Sequence, residues 1–100
     1  MDREQVIEKV RKYKALVEEH LRIDSLYLYG SWAKGMGRQD SDIDVAIVME
    51  KIPDEYYDTI VILWHLRQSL DPVIEPVLFQ RGRGRSGFLG QIEKTGALIQ

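Results

Sequence analysis

Two stretches decide the fold of this chain: Leu26-Tyr27-Leu28-Tyr29-Gly30-Ser31 and, nine residues further on, Ser41-Asp42-Ile43-Asp44-Val45-Ala46-Ile47-Val48. The first is a short aromatic and aliphatic run that ends in a Gly-Ser turn, the pattern of a strand and its exit. The second is a strand with two carboxylates at its start. Side chains alternate faces along a strand, so Asp42 and Asp44 point the same way, with Cα atoms about 6.5–7 Å apart. Two like charges at that spacing repel by about 2 kcal/mol at an effective dielectric near 20. A fold seldom keeps such a pair without a counter-ion. Magnesium takes oxygen ligands and binds through one or two carboxylates plus substrate phosphates. A Gly-Ser turn beside it offers backbone N–H groups and a hydroxyl to those phosphates. The two runs together predict a phosphate cradle, Gly30 and Ser31, next to a metal site, Asp42 and Asp44.

The elements around this pair follow from periodicity. Residues 3–22 predict a helix, with Val6, Val10, Tyr13, Val17 and Leu21 at helical spacing. Residues 25–29 are the first strand, and residues 31–35 a short helix with Ser31 near its start. Gly35 and Gly37 open a loop to Asp40. The second strand covers 42–49; it is apolar on both faces beyond Asp44, as expected of a strand covered on both sides. Pro53-Asp54 starts a helix that runs to about Leu70, with Tyr57, Ile60, Val61, Trp64 and Gln68 as its inner stripe. Asp71-Pro72 ends it. Residues 73–79 predict a third strand, in which Pro76 argues for an edge position. A basic glycine-rich loop, Arg81 to Gly87, leads to a last short helix near 88–95.

Length and composition narrow the function. One hundred residues make one domain, residues 1–100, with a single core. The net charge of −2 argues against bulk binding of nucleic acid, so nucleic acid is not expected as a direct substrate. There is no cysteine, hence no disulfide framework or thiolate metal site. The opening residues are polar and charged rather than leader-like, and no apolar run approaches the roughly 20 residues of a membrane span. A cytoplasmic protein without membrane contact is the expectation.

Several residues need individual weighing. Asp40, Asp42 and Asp44 alternate as in an EF-hand, but Val45 and Lys51 stand where that loop needs Gly and Glu. Glu75 lies mid-strand between apolar residues, where an unpaired acid is costly. It is the candidate third carboxylate, against the plainer reading of an acid that reaches solvent or pairs with an arginine. Lys34 and Arg38 are cations within reach of a polyphosphate, or solvated charges. His20 and His65 have no ligand-spaced companions. The Arg81–Arg85 loop reads as solvated, or as an electrostatic contact for an acidic partner or RNA.

Gly30-Ser31-Trp32-Ala33-Lys34-Gly35 followed by Ser41-Asp42-Ile43-Asp44 resembles the signature of the polymerase β-like nucleotidyltransferases, and the length resembles their minimal, antitoxin-type members. The dense match covers about a fifth of the chain. The resemblance implies an α/β (α+β) fold, with a small mixed sheet and helices packed mainly on one face. It implies Asp42, Asp44 and Glu75 as catalytic and metal residues for two Mg2+ ions. It implies Gly30, Ser31, Lys34, Arg38 and Ser41 as nucleotide-binding residues. Trp32 stands where the family often has Arg, and Glu75 where it usually has Asp. The implied reaction is transfer of AMP from ATP, with loss of pyrophosphate. The short chain leaves little room for an acceptor domain. The acceptor is therefore expected on another molecule, a hydroxyl of a small helical partner toxin of the HEPN type. Two other readings stand beside this one. One is a catalytically inactive antitoxin that acts by occlusion. The other is a small-molecule nucleotidyltransferase of the aminoglycoside type, against which the missing second domain counts.

Overall fold

A computed structural model describes residues 2–38, 41–82 and 87–100. Helix α1 is Arg3–His20. Asp2 caps its start: the side chain accepts from the Gln5 N–H at 2.8 Å, and the Gln5 side chain accepts from the Asp2 N–H at 2.9 Å. This reciprocal box satisfies two of the donors a helix start leaves open. Val6, Val10, Tyr13 and Val17 are its buried stripe, as the spacing predicts, while Leu21 is the C-cap. The Tyr13 hydroxyl, deep in the core, donates to the Leu63 carbonyl at 2.7 Å. Burial pushes this phenol well above its ordinary pKa, against a smaller opposing effect of the Arg67 charge.

Four strands form one mixed sheet in the order β3-β2-β1-β4. They are β1 Ser25–Tyr29, β2 Ile43–Met49, β3 Ile74–Gln80 and β4 Ala97–Leu98. Strand β1 runs antiparallel to β2 and β4, and β2 runs parallel to β3. A parallel pair needs a crossover, which helix α2, Tyr56–Leu66, and the 3-10 turn Arg67–Ser69 supply. Ile43, Val45, Ile47 and Met49 join Ile74, Leu78 and the stripe of α1 in the main core. Ala46 and Phe79, on the opposite face, pack with Ile92 of helix α3, Phe88–Thr95. Strand β2 is thus covered on both faces, as its apolar alternation predicts. The two longer helices lie over one face and the short α3 over the other. Among the described residues no helix is long and apolar enough to cross a membrane.

The structure corrects three expectations. Residues 31–35 form an irregular turn, not a helix. Its hydrogen bonds mix spacings: Lys34 N–H to the Gly30 carbonyl, Gly35 to Trp32 and Met36 to Ser31. Four residues bracketed by positive-φ glycines, Gly30 and Gly35, are too few to repay helix nucleation. The fully buried stripe of α2 is Thr59, Leu63 and Leu66; of the expected stripe only Ile60 packs against the main core, partly buried. Tyr57 and Val61 are 81% and 65% exposed, Gln68 is exposed, and Trp64 lies half open under the Arg67 guanidinium. This helix carries apolar residues all round, so period alone could not choose its face. The helix also begins at Tyr56, later than Pro53-Asp54, with no side-chain cap. Strand β4 is too short to have announced itself in the pattern.

Ties beyond the core hold the crossover in place. Lys9 pairs with Asp71 at 2.6 Å, and the Asp71 side chain also accepts from the Val73 N–H at 3.0 Å. Burial raises the Asp71 carboxyl. The Lys9 hydrogen bond, the Val73 N–H and the Lys9 charge outweigh it and hold the carboxyl below its ordinary value. Arg67 donates to the Pro72 and Ile74 carbonyls at 2.6 and 3.0 Å. The start of β3, and with it Glu75, is pinned from both α1 and the 3-10 turn.

Candidate active site

The fold brings the expected acids to one end of the sheet. Asp44 is the second residue of β2, and it pairs across the sheet with Tyr29 on β1 and Glu75 on β3. Paired residues in neighbouring strands share a face. Tyr29, Asp44 and Glu75 therefore line up side by side on the face opposite the main core. Asp42 is exposed just before β2. Its charge still reaches Asp44: the Asp44 carboxyl is raised above its ordinary value, first by burial, then by Glu75, then by Asp42. The Tyr29 phenol is likewise raised by burial and by the charges of Asp44 and Glu75.

Gly30 is fitted to Asp44. Its φ is +76°, in the left-handed region, and a Cβ placed there would lie 2.5 Å from Asp44 Oδ2. Only glycine lets the backbone turn at the end of β1 while the carboxylate stands against it. Ser31 follows, half-buried, at the start of the turn. Lys34 and Arg38 are exposed on the same loop. Ser41 acts locally. Its hydroxyl accepts from the Arg38 N–H at 2.9 Å, and its own N–H donates to the Arg38 carbonyl at 2.9 Å. That closes the loop which delivers Asp42. Asp40, and Arg83 and Arg85 of the basic loop, lie outside the described residues. Arg81, the first residue of that loop, is engaged with Asp24 and Glu93.

Trp32 is not a site residue. Its ring is buried in the main core at 4% exposure, and its Nε1 has no hydrogen-bond partner. Gly37 lies so close to the indole that any side chain there would strike the ring. The loop is anchored from below by an aromatic plug, and the cations above it are Lys34 and Arg38. Sequence reading overlooked Tyr29 as a neighbour of the acids. The register that places it there depends on a pairing that no local pattern reveals.

The donor set suits a hard divalent cation. It consists of carboxylate oxygens whose mutual repulsion and burial lift the Asp44 carboxyl, and a cation there relieves both. Among the described residues no group of three or more His, Cys, Asp or Glu side chains is placed so that it could by itself hold a metal ion. Magnesium does not need one, since it keeps waters and takes ligands from substrate phosphates. A groove of about 700 Å3 lies elsewhere, at the opposite end of β2 beside Met49 and Pro53. It shares no residue with the acid cluster.

Comparison with known proteins adds the following. Residues 11–100 match the family described as polymerase beta, nucleotidyltransferase. A Methanocaldococcus jannaschii protein named "putative protein adenylyltransferase" is 27% identical over 99 residues, covering 95% of this chain and 99% of its own length. A second protein of that name from the same organism is 32% identical over 50 residues, covering 50% of this chain and 58% of its own. The crystal structure of a "putative nucleotidyltransferase" from Sulfolobus solfataricus superposes with a TM-score of 0.67 at 14% identity. It covers 97% of this chain and 79% of the other. At that identity the likeness concerns the fold.

Proposed function

The chain belongs to the polymerase β nucleotidyltransferase family, and from that premise we propose that it transfers AMP from ATP to a hydroxyl of a partner protein. The observation that carries the reading is the row Asp44–Glu75 on adjacent strands, with Gly30 against Asp44. The names of the two archaeal relatives support protein as the acceptor class. The partner is a small helical toxin of the HEPN type, and this chain is its antitoxin.

Asp42, Asp44 and Glu75 would hold two magnesium ions, which supply Lewis acidity at the α-phosphate and at the departing pyrophosphate. The chain's own residues do the rest. The Gly30-Ser31 turn orients the β- and γ-phosphates, so that the α-phosphorus is open to in-line attack. Lys34 and Arg38 offset the charge of the polyphosphate. Glu75 stands beside Asp44 and accepts the proton of the acceptor hydroxyl.

The test uses ATP labelled in the α-phosphate, magnesium and, as candidate partner, any small helical protein that a neighbouring reading frame encodes. Label should appear on that protein and be lost with Asp42→Asn or Asp44→Asn in folded variants. A folded wild-type protein that binds nucleotide but labels no partner, while still neutralising it, establishes occlusion instead.

A further inference from the structure

The face of the sheet that carries the acids also carries an aromatic corner that the proposed chemistry does not use. Phe88, the first residue of α3, is 45% exposed. Its ring is held edge-on by two others: Tyr29 with centroids 6.1 Å apart at 87°, and Phe79 at 5.6 Å and 64°. Phe79 is buried, and Tyr29 packs against the same small core. Phe88 is therefore an exposed ring that is braced from behind. Tyr29 is also the register partner of Asp44 and the residue before Gly30. The corner thus begins one residue from the phosphate-binding turn, on the carboxylate face.

We propose that Phe88, braced by Tyr29 and Phe79, is the stacking wall for the base of the nucleotide whose phosphates sit at Gly30-Ser31. A nucleoside triphosphate is a polyanion and an aromatic disc joined by a sugar. The acids and the Gly-Ser turn serve the first part and leave the second without a partner. An exposed ring on the same face, joined to the acids through Tyr29, supplies it. Stacking is indifferent to the edge of the base, since every base has a π-face. The wall therefore favours the larger purines over pyrimidines without separating adenine from guanine. This inference rests on the nucleotide-binding reading of the site.

The experiment measures binding of the full chain, with magnesium, to ATP, CTP and inorganic tripolyphosphate. Phe88→Ala should weaken ATP binding by about 5- to 150-fold, the range that loss of one stacked base implies, and leave tripolyphosphate unchanged. Phe88→Leu keeps apolar bulk but has no π-face. It should lose ATP affinity as well, and it serves if the alanine variant folds poorly. Phe88→Trp should restore it. The wild-type preference for ATP over CTP should fall in both the Ala and Leu variants. Unchanged ATP affinity in a folded Phe88→Leu variant overturns the proposal while leaving the phosphate site intact. So does unchanged ATP affinity with a raised KM for the acceptor protein, which would assign the wall to the acceptor. Failure of the wild-type chain to bind either ATP or tripolyphosphate overturns the nucleotide reading itself, and this proposal with it.

Discussion

Gly30→Ala is the sharpest probe of how the turn and the carboxylate are joined. Three contributions set its size. A left-handed φ costs an L-residue about 1–2 kcal/mol. Alanine restricts the unfolded chain, which returns about 0.4–1 kcal/mol. The new Cβ would lie 2.5 Å from Asp44 Oδ2, so the side chain of Asp44 must leave its rotamer, at about 0.5–1.5 kcal/mol. The net destabilisation is about 0.5–3 kcal/mol. At about 4–8 °C per kcal/mol for a domain of this size, the melting temperature should fall by about 2–24 °C. The contact can be isolated in an Asp44→Ala background. There the Asp44 Cβ, 3.5 Å from the new methyl, remains at ordinary van der Waals distance and the carboxylate is gone. Gly30→Ala should then cost about 0.5–1.5 kcal/mol less than it does in the wild type. Urea unfolding of the four proteins in the cycle measures that difference. A coupling below about 0.3 kcal/mol, within the scatter of additive sites, refutes the idea that Gly30 is required because Asp44 stands against it.

Two further outcomes follow from the acids. The Asp44 carboxyl is raised in the folded protein, so folding favours its protonated form. That contribution is fully present below the ordinary Asp value of about 3.9 and is lost as pH rises through the higher folded value. Asp44→Asn should therefore equal or exceed wild-type stability at neutral pH without metal. The advantage should vanish below about pH 4; a variant less stable than wild type at neutral pH, by urea unfolding, contradicts the sign. ATP with magnesium at ten times its dissociation constant should stabilise the wild type by about 1.4 kcal/mol. An equal thermal shift in the Asp42→Asn/Asp44→Asn double variant places the nucleotide elsewhere.

Much of this was legible in the chain, for reasons that differ by element. Helix α1 was readable because its four buried residues recur at strict helical spacing between charges. Strand β2 was readable because both faces are apolar, and Pro76 marked β3 as an edge. The pairing of Asp44 with Glu75 depends on a parallel register that no local pattern encodes; only the isolation of an acid among apolar residues hinted at it. Helix α2 misled because it offers apolar residues to every side, and tertiary contacts chose Thr59, Leu63 and Leu66. Trp32 misled in a different way. Placed in a motif, it read as a departure from the family's usual Arg, whereas its ring belongs to the core.

The edges of the sheet carry a consequence for the company this domain keeps. One margin is β3, where Pro76 has no N–H to offer an incoming strand. The other is β4, two residues long. Pro76 removes one donor from the β3 margin and β4 offers only two strand residues, features by which natural sheets limit lateral growth. Recognition through side-chain relief on a folded surface suits such a sheet better than addition of an extended strand. The apolar flank of α2, where Tyr57 and Val61 stand in solvent, then becomes the first place to look for the footprint of a folded companion.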